Sequence, residues 1–246
     1  MLFMNLVIDI GNTNTKVVIF DKENIIRNDR YATFDKDDLQ YYFMKYSIKY
    51  AIISSVGINE QSLVEELKNY CDVLEFDHTT LLPIKNRYAT PKTLGKDRLA
   101  AVVGAWDEFK ERNILVIDAG SCITYDIITN KGEYRGGAIS PGLNMRFKAL
   151  NTFTQRLPLI TIADASPTIG DDTKSSITAG VLNGTVYEMD GMISTYKELF
   201  ENIVVIITGG DMNYFDKKLK SNIFARSNIV TLGLNKILKY NFEEKY

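Results

Sequence analysis

The hydrophobic pattern is organised around one stretch, Leu6 to Phe20, which reads LVIDIGNTNTKVVIF. Apolar residues run into Asp9, a polar turn Gly11-Asn12-Thr13-Asn14 follows, and a second apolar run begins. This predicts a strand, a tight turn and an antiparallel strand. A carboxylate at the end of a buried strand is costly unless a cation or a donor pairs with it. The backbone N–H groups of such a turn can point outward together and form an anion-binding nest. The pattern recurs at Leu115 to Ile128, LVIDAGSCITYDII, with Asp118 standing 109 positions after Asp9. At that offset Asp, Gly and Thr coincide as well as the apolar positions. Chance agreement between two strands does not explain that, so duplication or one repeated geometry is expected. A two-lobed protein follows, with one phosphate-type turn per lobe and the ligand in the cleft between them.

The remaining pattern fills in both lobes. Ile25 to Thr33 predicts a third strand, and Asp35 an N-cap for a helix through about Lys45. Tyr50 to Val56 is a continuous apolar strand, Asn59 to Tyr70 has helical spacing, and Asp72 to Phe76 is again a strand. Three strands, helix, strand, helix, strand is the order of a ribonuclease-H-like unit. A Pro-containing loop, Leu82 to Thr93, leads into a helix from about Lys96 to Glu111. After the second hairpin come a strand over Gly132 to Ser140, a helix opened by Ser140-Pro141-Gly142, and an irregular stretch over 152–168. A long helical pattern then runs from Asp172 to about Phe200. It carries Gly180, Gly184 and Gly191, each unfavourable by ~1 kcal/mol against Ala in a helix interior. Close approach of another helix or a break is the expected reason, and a subunit interface is the sharper form of the first. Ile203 to Thr208 is a buried strand ending at Gly209-Gly210-Asp211. Ile229-Val230 and a helix from about Leu234 close the chain. The predicted lobes are 1–112 and 113–246, with any hinge near Arg112.

Composition narrows the classes. The chain has 246 residues, 45% hydrophobic and 24% charged, with a net charge of −2. Those are globular values, and they give no electrostatic case for nucleic acid or an anionic membrane. No apolar run approaches the ~20 residues of a spanning helix, and the N-terminus lacks a leader pattern. Cys71 and Cys122 are too few for a disulfide framework or a zinc cluster. A cytoplasmic location is the expectation. The single His78 reads as a loop residue and argues against a His-based triad or metal site.

The candidate chemistry lies in the turns. There is no G-x-x-x-x-G-K-[ST] and no G-x-G-x-x-G, so neither a P-loop nor a dinucleotide fingerprint is present. Two Asp-bearing turns and a Gly-Gly turn at a third strand end suit a nucleoside triphosphate. Phosphoryl transfer needs charge neutralisation and alignment more than covalent chemistry. Asp9 and Asp118 suit cations, directly or through water. Asp97 is either a favourable first-turn acid or, with Lys96 and Arg98 just after Gly95, part of an anion pocket.

These residues together resemble the type III pantothenate kinases, within the superfamily of acetate and sugar kinases, actin and the heat-shock ATPases. The motifs read DIGNTNTK at Asp9 to Lys16, GKDR at Gly95 to Arg98 preceded by Tyr88, and DAGSCIT at Asp118 to Thr124. GGAISPG at Gly136 to Gly142, IGDDT at Ile169 to Thr173 and TGGD at Thr208 to Asp211 extend the match over the whole length. The resemblance implies an α/β fold of two ribonuclease-H-like (actin-like ATPase) lobes with mixed sheets. It implies transfer of the ATP γ-phosphoryl group to the 4′-hydroxyl of pantothenate, the first step of coenzyme A synthesis. It also implies a divalent cation such as Mg2+ with ATP, activation by K+ or NH4+, and a homodimer.

Residue by residue, it implies ATP contacts from Asp9, Ile10, Gly11, Asn12, Thr13, Asn14, Thr15, Lys16 and Ser121. Pantothenate contacts fall to Tyr88, Gly95, Lys96, Asp97, Arg98 and Thr173. Asp97 becomes the catalytic base and Asp118 a monovalent-cation ligand. The third motif departs from the family, which usually has Thr then Ala where this chain has Ser121 and Cys122. Ser keeps the hydroxyl, and Cys122 reads as a small buried hydrophobe. The alternative is an actin-like or regulatory ATP-binding protein with no metabolite acceptor. Such a switch has no use for Asp97 beside a small anion pocket. A polyphosphate hydrolase is the third reading.

Overall fold

The computed structural model describes residues 3–11, 13–55, 61–161 and 166–243. Two compact units emerge, Met1–Glu108 with Asn228–Tyr246, and Phe109–Ser227. The first contains β1 (Met4–Ile10), β2 (Thr15–Asp21), β3 (Asn24–Tyr31), α1 (Lys36–Lys45), β4 (Ile48–Ser55), α2 (Gln61–Lys68) and β5 (Asp72–Glu75). Its sheet order is β3-β2-β1-β4-β5. β1 runs antiparallel to β2 and parallel to β4. Leu6, Ile8, Val17 and Ile19 bury against Leu39 and Tyr42 of α1 and Leu63, Val64 and Leu67 of α2. Asp35 caps α1 as its sequence predicts, accepting from the amides of Asp37 and Asp38 at 3.0 and 3.1 Å.

The same unit continues through β6 (Lys85–Asn86), a 3-10 turn at Pro91–Thr93 and α3 (Lys96–Glu108). Every residue of α3 from Arg98 to Ala105 is buried. A helix apolar all round needs cover on more than one face. That cover comes from the chain's last helix, α7 (Ile229–Phe242), which packs on α3 and on strands β1 and β4. The backbones meet closely: a methyl at Gly104 would overlap the Ile229 carbonyl oxygen, and one at Gly233 the Ala100 carbonyl oxygen. Filling either position would strain the pair by about 1–3 kcal/mol.

The second unit holds β7 (Ile114–Ala119), β8 (Cys122–Ile128), β9 (Glu133–Pro141), α4 (Leu143–Thr152), α5 (Thr173–Leu199), β10 (Val204–Thr208), α6 (Met212–Phe215) and β11 (Phe224–Ala225). Its strands follow the order β11-β10-β7-β8-β9, the mirror-listed equivalent of the first sheet. β7 is antiparallel to β8 and parallel to β10, as β1 is to β2 and β4. The duplication read from the two hairpins therefore extends to the whole strand plan. Leu143, Phe147, Ile177, Leu182 and Met189 of α4 and α5 fill the core over this sheet.

Three expectations need correction. The lobes expected at 1–112 and 113–246 misplace the C-terminal segment: residues 228–246 belong with the first unit, so the chain passes between units after Glu108 and again after Ser227. The physical reason is that α3 alone leaves part of the β1–β4 face bare, and α7 completes it. α7 also begins at Ile229, earlier than the helix start expected at about Leu234. Finally, Gly180, Gly184 and Gly191 do not meet another element of the described chain: a methyl at any of them would find nothing within 4 Å. The close helix approach falls instead to Gly104 and Gly233. Val56 and the Asn59–Glu60 start of the second predicted helix lie outside the described residues.

Candidate active site

In the first unit the strand-end acid is where the pattern puts it. Asp9 pairs directly across the β1–β2 ladder with Lys16, and lies beside Ser54 of parallel β4. Gly11 closes the turn by donating its N–H to the Asn14 carbonyl at 3.1 Å. Ile10 is half-buried, Thr15 is buried, and Gly11, Thr13 and Asn14 are exposed at the tip. Asn12, an expected ATP contact, lies outside the described residues. Burial pushes the Asp9 carboxyl up to about 6, although Lys16 pulls it down, and the negative charge of Asp97 raises it further. Two predicted site acids that are 88 residues apart in sequence thus feel each other's charge.

Asp97 sits in the first turn of α3, where the geometry of a helix leaves N–H groups to be satisfied from outside the helix ladder. Its Oδ1 accepts the N–H of Arg98 at 2.8 Å. Arg98 is buried, and its guanidinium lies 5.8 Å from the centre of the Tyr88 ring. Tyr88 is held in turn by its own N–H, which donates to Asn86 Oδ1 at 2.9 Å. Lys96 is half-buried on the adjacent position of the helix. Cation–ring contact of this kind is worth about 0.5–2 kcal/mol and orients the guanidinium plane. Asp9, Lys16, Tyr88, Gly95, Asp97 and Arg98 therefore form one connected group.

In the second unit Asp118 pairs across the ladder with Thr124 and lies beside Thr208 of β10. Gly120 donates to the Cys122 carbonyl at 2.9 Å, and Ser121 is exposed at the tip. Gly209, in the left-handed region at φ +95°, presses on the Ala119 carbonyl and the Asp118 carboxylate so closely that a methyl would overlap both. The Asp211 amide donates to the Ala119 carbonyl at 2.9 Å, and burial raises the Asp211 carboxyl. Asp118 and Ser121 share this hairpin; Thr173 stands exposed at the first residue of α5, behind an Asp172 cap. Sequence reasoning noted TGGD and GGAISPG without seeing that both segments fold against the second turn. Glycines at strand ends were the available signal.

A family model for type III pantothenate kinases matches residues 5–195. A type III pantothenate kinase of Bacteroides fragilis strain YCH46 is 47% identical over 239 residues, covering 97% of this chain and 98% of that one. The chain belongs to the type III pantothenate kinase family. Membership covers both Asp-bearing hairpins, GKDR and the N-terminal part of α5. Solved structures agree on the fold. A Baf family protein from Campylobacter jejuni superposes with TM-score 0.64 at 21% identity, over 96% of this chain and 98% of that chain. A ROK family glucokinase from Streptomyces griseus, solved with glucose and AMPPNP, gives TM-score 0.54 at 12% identity, over 97% and 99%. These likenesses bear out the expected fold class, an α/β chain of two ribonuclease-H-like (actin-like ATPase) units with a mixed sheet in each.

Proposed function

We propose that this chain transfers the γ-phosphoryl group of ATP to the 4′-hydroxyl of pantothenate, opening coenzyme A synthesis. The observation that carries the reading is a family match along the chain that includes an acid, Asp97, anchored beside a buried arginine. Asp97 takes the hydroxyl proton as the new O–P bond forms and the bond to the β-phosphate oxygen breaks, with ADP leaving. With Oδ1 tied to the Arg98 amide, Oδ2 is the oxygen for that proton. A base held within hydrogen-bond reach supplies about 10²–10⁴ in rate. Arg98 grips the pantothenate carboxylate bidentately, steadied by the Tyr88 ring. Gly95, Lys96 and Thr173 complete the acceptor contacts.

The Asp9–Lys16 turn, including Asn12, and the Ser121 hydroxyl hold the phosphates. A divalent cation accompanies ATP and neutralises phosphate charge. The donors fit it: Asp9 offers hard carboxylate oxygen in a setting that disfavours an unpaired charge. Among the described residues no three metal-binding side chains cluster. Asp9 would hold the cation on the protein side, and the cation would supply charge neutralisation at the phosphates. Asp118 would hold K+ or NH4+ beside the phosphates. No helix of the described chain is long and apolar enough to cross a membrane. A cytoplasmic homodimer, without nucleic-acid or membrane partners, completes the proposal.

The deciding experiment is ADP formation by the purified protein with and without pantothenate. Pantothenate-dependent ADP with matching phosphopantothenate is expected. Equal ADP without any acceptor would instead favour an ATP-driven switch.

A further inference from the structure

The second unit contains a charged network that the proposed chemistry does not use. Arg146 of α4 donates from Nε to the Pro141 carbonyl at 2.8 Å and from Nη2 to Ser140 Oγ at 2.7 Å. The same Nη2 reaches Glu188 Oε2 of α5 at 2.6 Å, and Tyr125 of β8 donates to Glu188 Oε1 at 3.2 Å. Burial pushes the Glu188 carboxyl up, but bonds from Ser140 and Arg146 outweigh it and hold it ionised. One arginine therefore fastens the end of β9 to a long helix.

What that strand end touches gives the network its consequence. Pro141 pairs with Cys122 and Ser140 with Ile123 across the β8–β9 ladder. The next residue, Gly142, donates its N–H to the Ser121 carbonyl at 3.2 Å. A methyl on Gly142 would overlap the Gly120 carbonyl oxygen and stand 2.6 Å from that of Ser121. The segment is the floor of the second turn, with no slack between the two backbones.

We propose that Arg146 and Glu188 are positioning residues that set the Gly120–Ser121 turn by fixing the Ser140–Gly142 segment beneath it. The inference rests on the reading that this turn contacts ATP. Their side chains are 22% and 31% exposed, so as an ion pair they contribute little to stability. Their weight lies in alignment, where an error of about 1 Å can cost on the order of 10²-fold in rate.

The test uses full-length Arg146→Ala and Glu188→Gln, with Ser121→Ala as the reference for the turn. Amide exchange at Gly142 reports the positioning directly and is expected to quicken in Arg146→Ala, with melting nearly unchanged. The Michaelis constant for ATP is expected to rise about tenfold, that for pantothenate to stay within twofold, and Glu188→Gln to fall between. Arg146→Lys keeps the charge but not the three-point fork and is expected to recover only part of the loss. Unchanged exchange at Gly142 in Arg146→Ala overturns the proposal whatever the kinetics. So does a normal ATP constant in Arg146→Ala while Ser121→Ala raises it. A normal ATP constant in Ser121→Ala itself refutes the ATP role of the turn; Gly142 exchange then still decides the positioning.

Discussion

Gly95 and Asp97 face each other across the start of α3, and a methyl on Gly95 would stand 2.6 Å from Asp97 Oδ1. The other neighbours of that methyl, Arg98 Cδ and Cγ, lie at ordinary contact distances of 3.5 and 3.6 Å. Only the carboxylate must give way. Gly95→Ala should therefore fold normally but swing Asp97 off the Arg98 amide. Turnover is expected to drop about 10²-fold with melting unchanged, against a ~10²–10⁴ loss for Asp97→Asn. Steady-state rates and a thermal melt on both variants check this, and a Gly95→Ala enzyme with full turnover would refute it.

Asp9 carries the clearest pH signature. Its carboxyl lies near 6 in the folded protein against an ordinary value of 3.8, so the folded state binds the extra proton between those limits. Sign follows directly: this group lowers stability above about pH 6, and the penalty lifts as pH falls toward 4. Asp9→Asn should raise the melting temperature of the ligand-free protein at pH 7.5 while weakening ATP binding. Calorimetry at pH 7.5 and 5 would contradict this if the variant were no more stable at the higher pH.

Arg98 is buried and stacked, which a lysine cannot reproduce as a planar fork. Arg98→Lys should raise the Michaelis constant for pantothenate about tenfold or more, with a smaller change for ATP. Lys96→Ala should do less than either. The carboxylate grip would be wrong if ATP suffered more than pantothenate when each substrate is varied in turn.

Asp118 makes a salt prediction. Activity should be low in sodium or Tris and recover with potassium or ammonium, and Asp118→Asn should lose that recovery. Equal rates in all four salts would rule out a monovalent ion there.

Assembly is the fifth expectation. Gly180, Gly184 and Gly191 open to solvent along α5 with Tyr187, 61% exposed, among them. A twofold helix contact fits such a face. Light scattering should give about twice the 27.9 kDa chain mass, and Gly184→Glu should shift it toward monomer. A fully active monomer would remove the interface.

The motifs were legible because each is local in sequence: an acid at a strand end, a small-residue turn, a carboxylate at a helix start. The repeat was legible only in part. At the 109-residue offset Thr15 meets Thr124, yet the ladders pair Ile10 with Thr15 and Ala119 with Ile123. The second turn is one residue shorter, so Thr124 corresponds to Lys16, and the shared Thr is a coincidence of an ungapped comparison. α7 was misplaced for another reason. Its partner α3 is more than a hundred residues upstream, and periodicity reports which face is apolar but not what covers it. The α5 glycines left open what meets them, because a missing side chain marks close packing and open surface alike.

The return of α7 to the first unit bears on how the protein is made. A ribosome delivers residues 229–242 only after the second unit, Phe109–Ser227. Until then the helix that bears Asp97 lacks the cover that Gly104 and Gly233 fit so closely, and its apolar flank stays wet. The first unit, begun before the second, is thus finished after it. A nascent chain can complete the 109–227 sheet while α3 still waits for its cover, so under the proposed role of Asp97 the reaction waits for residues 229–242.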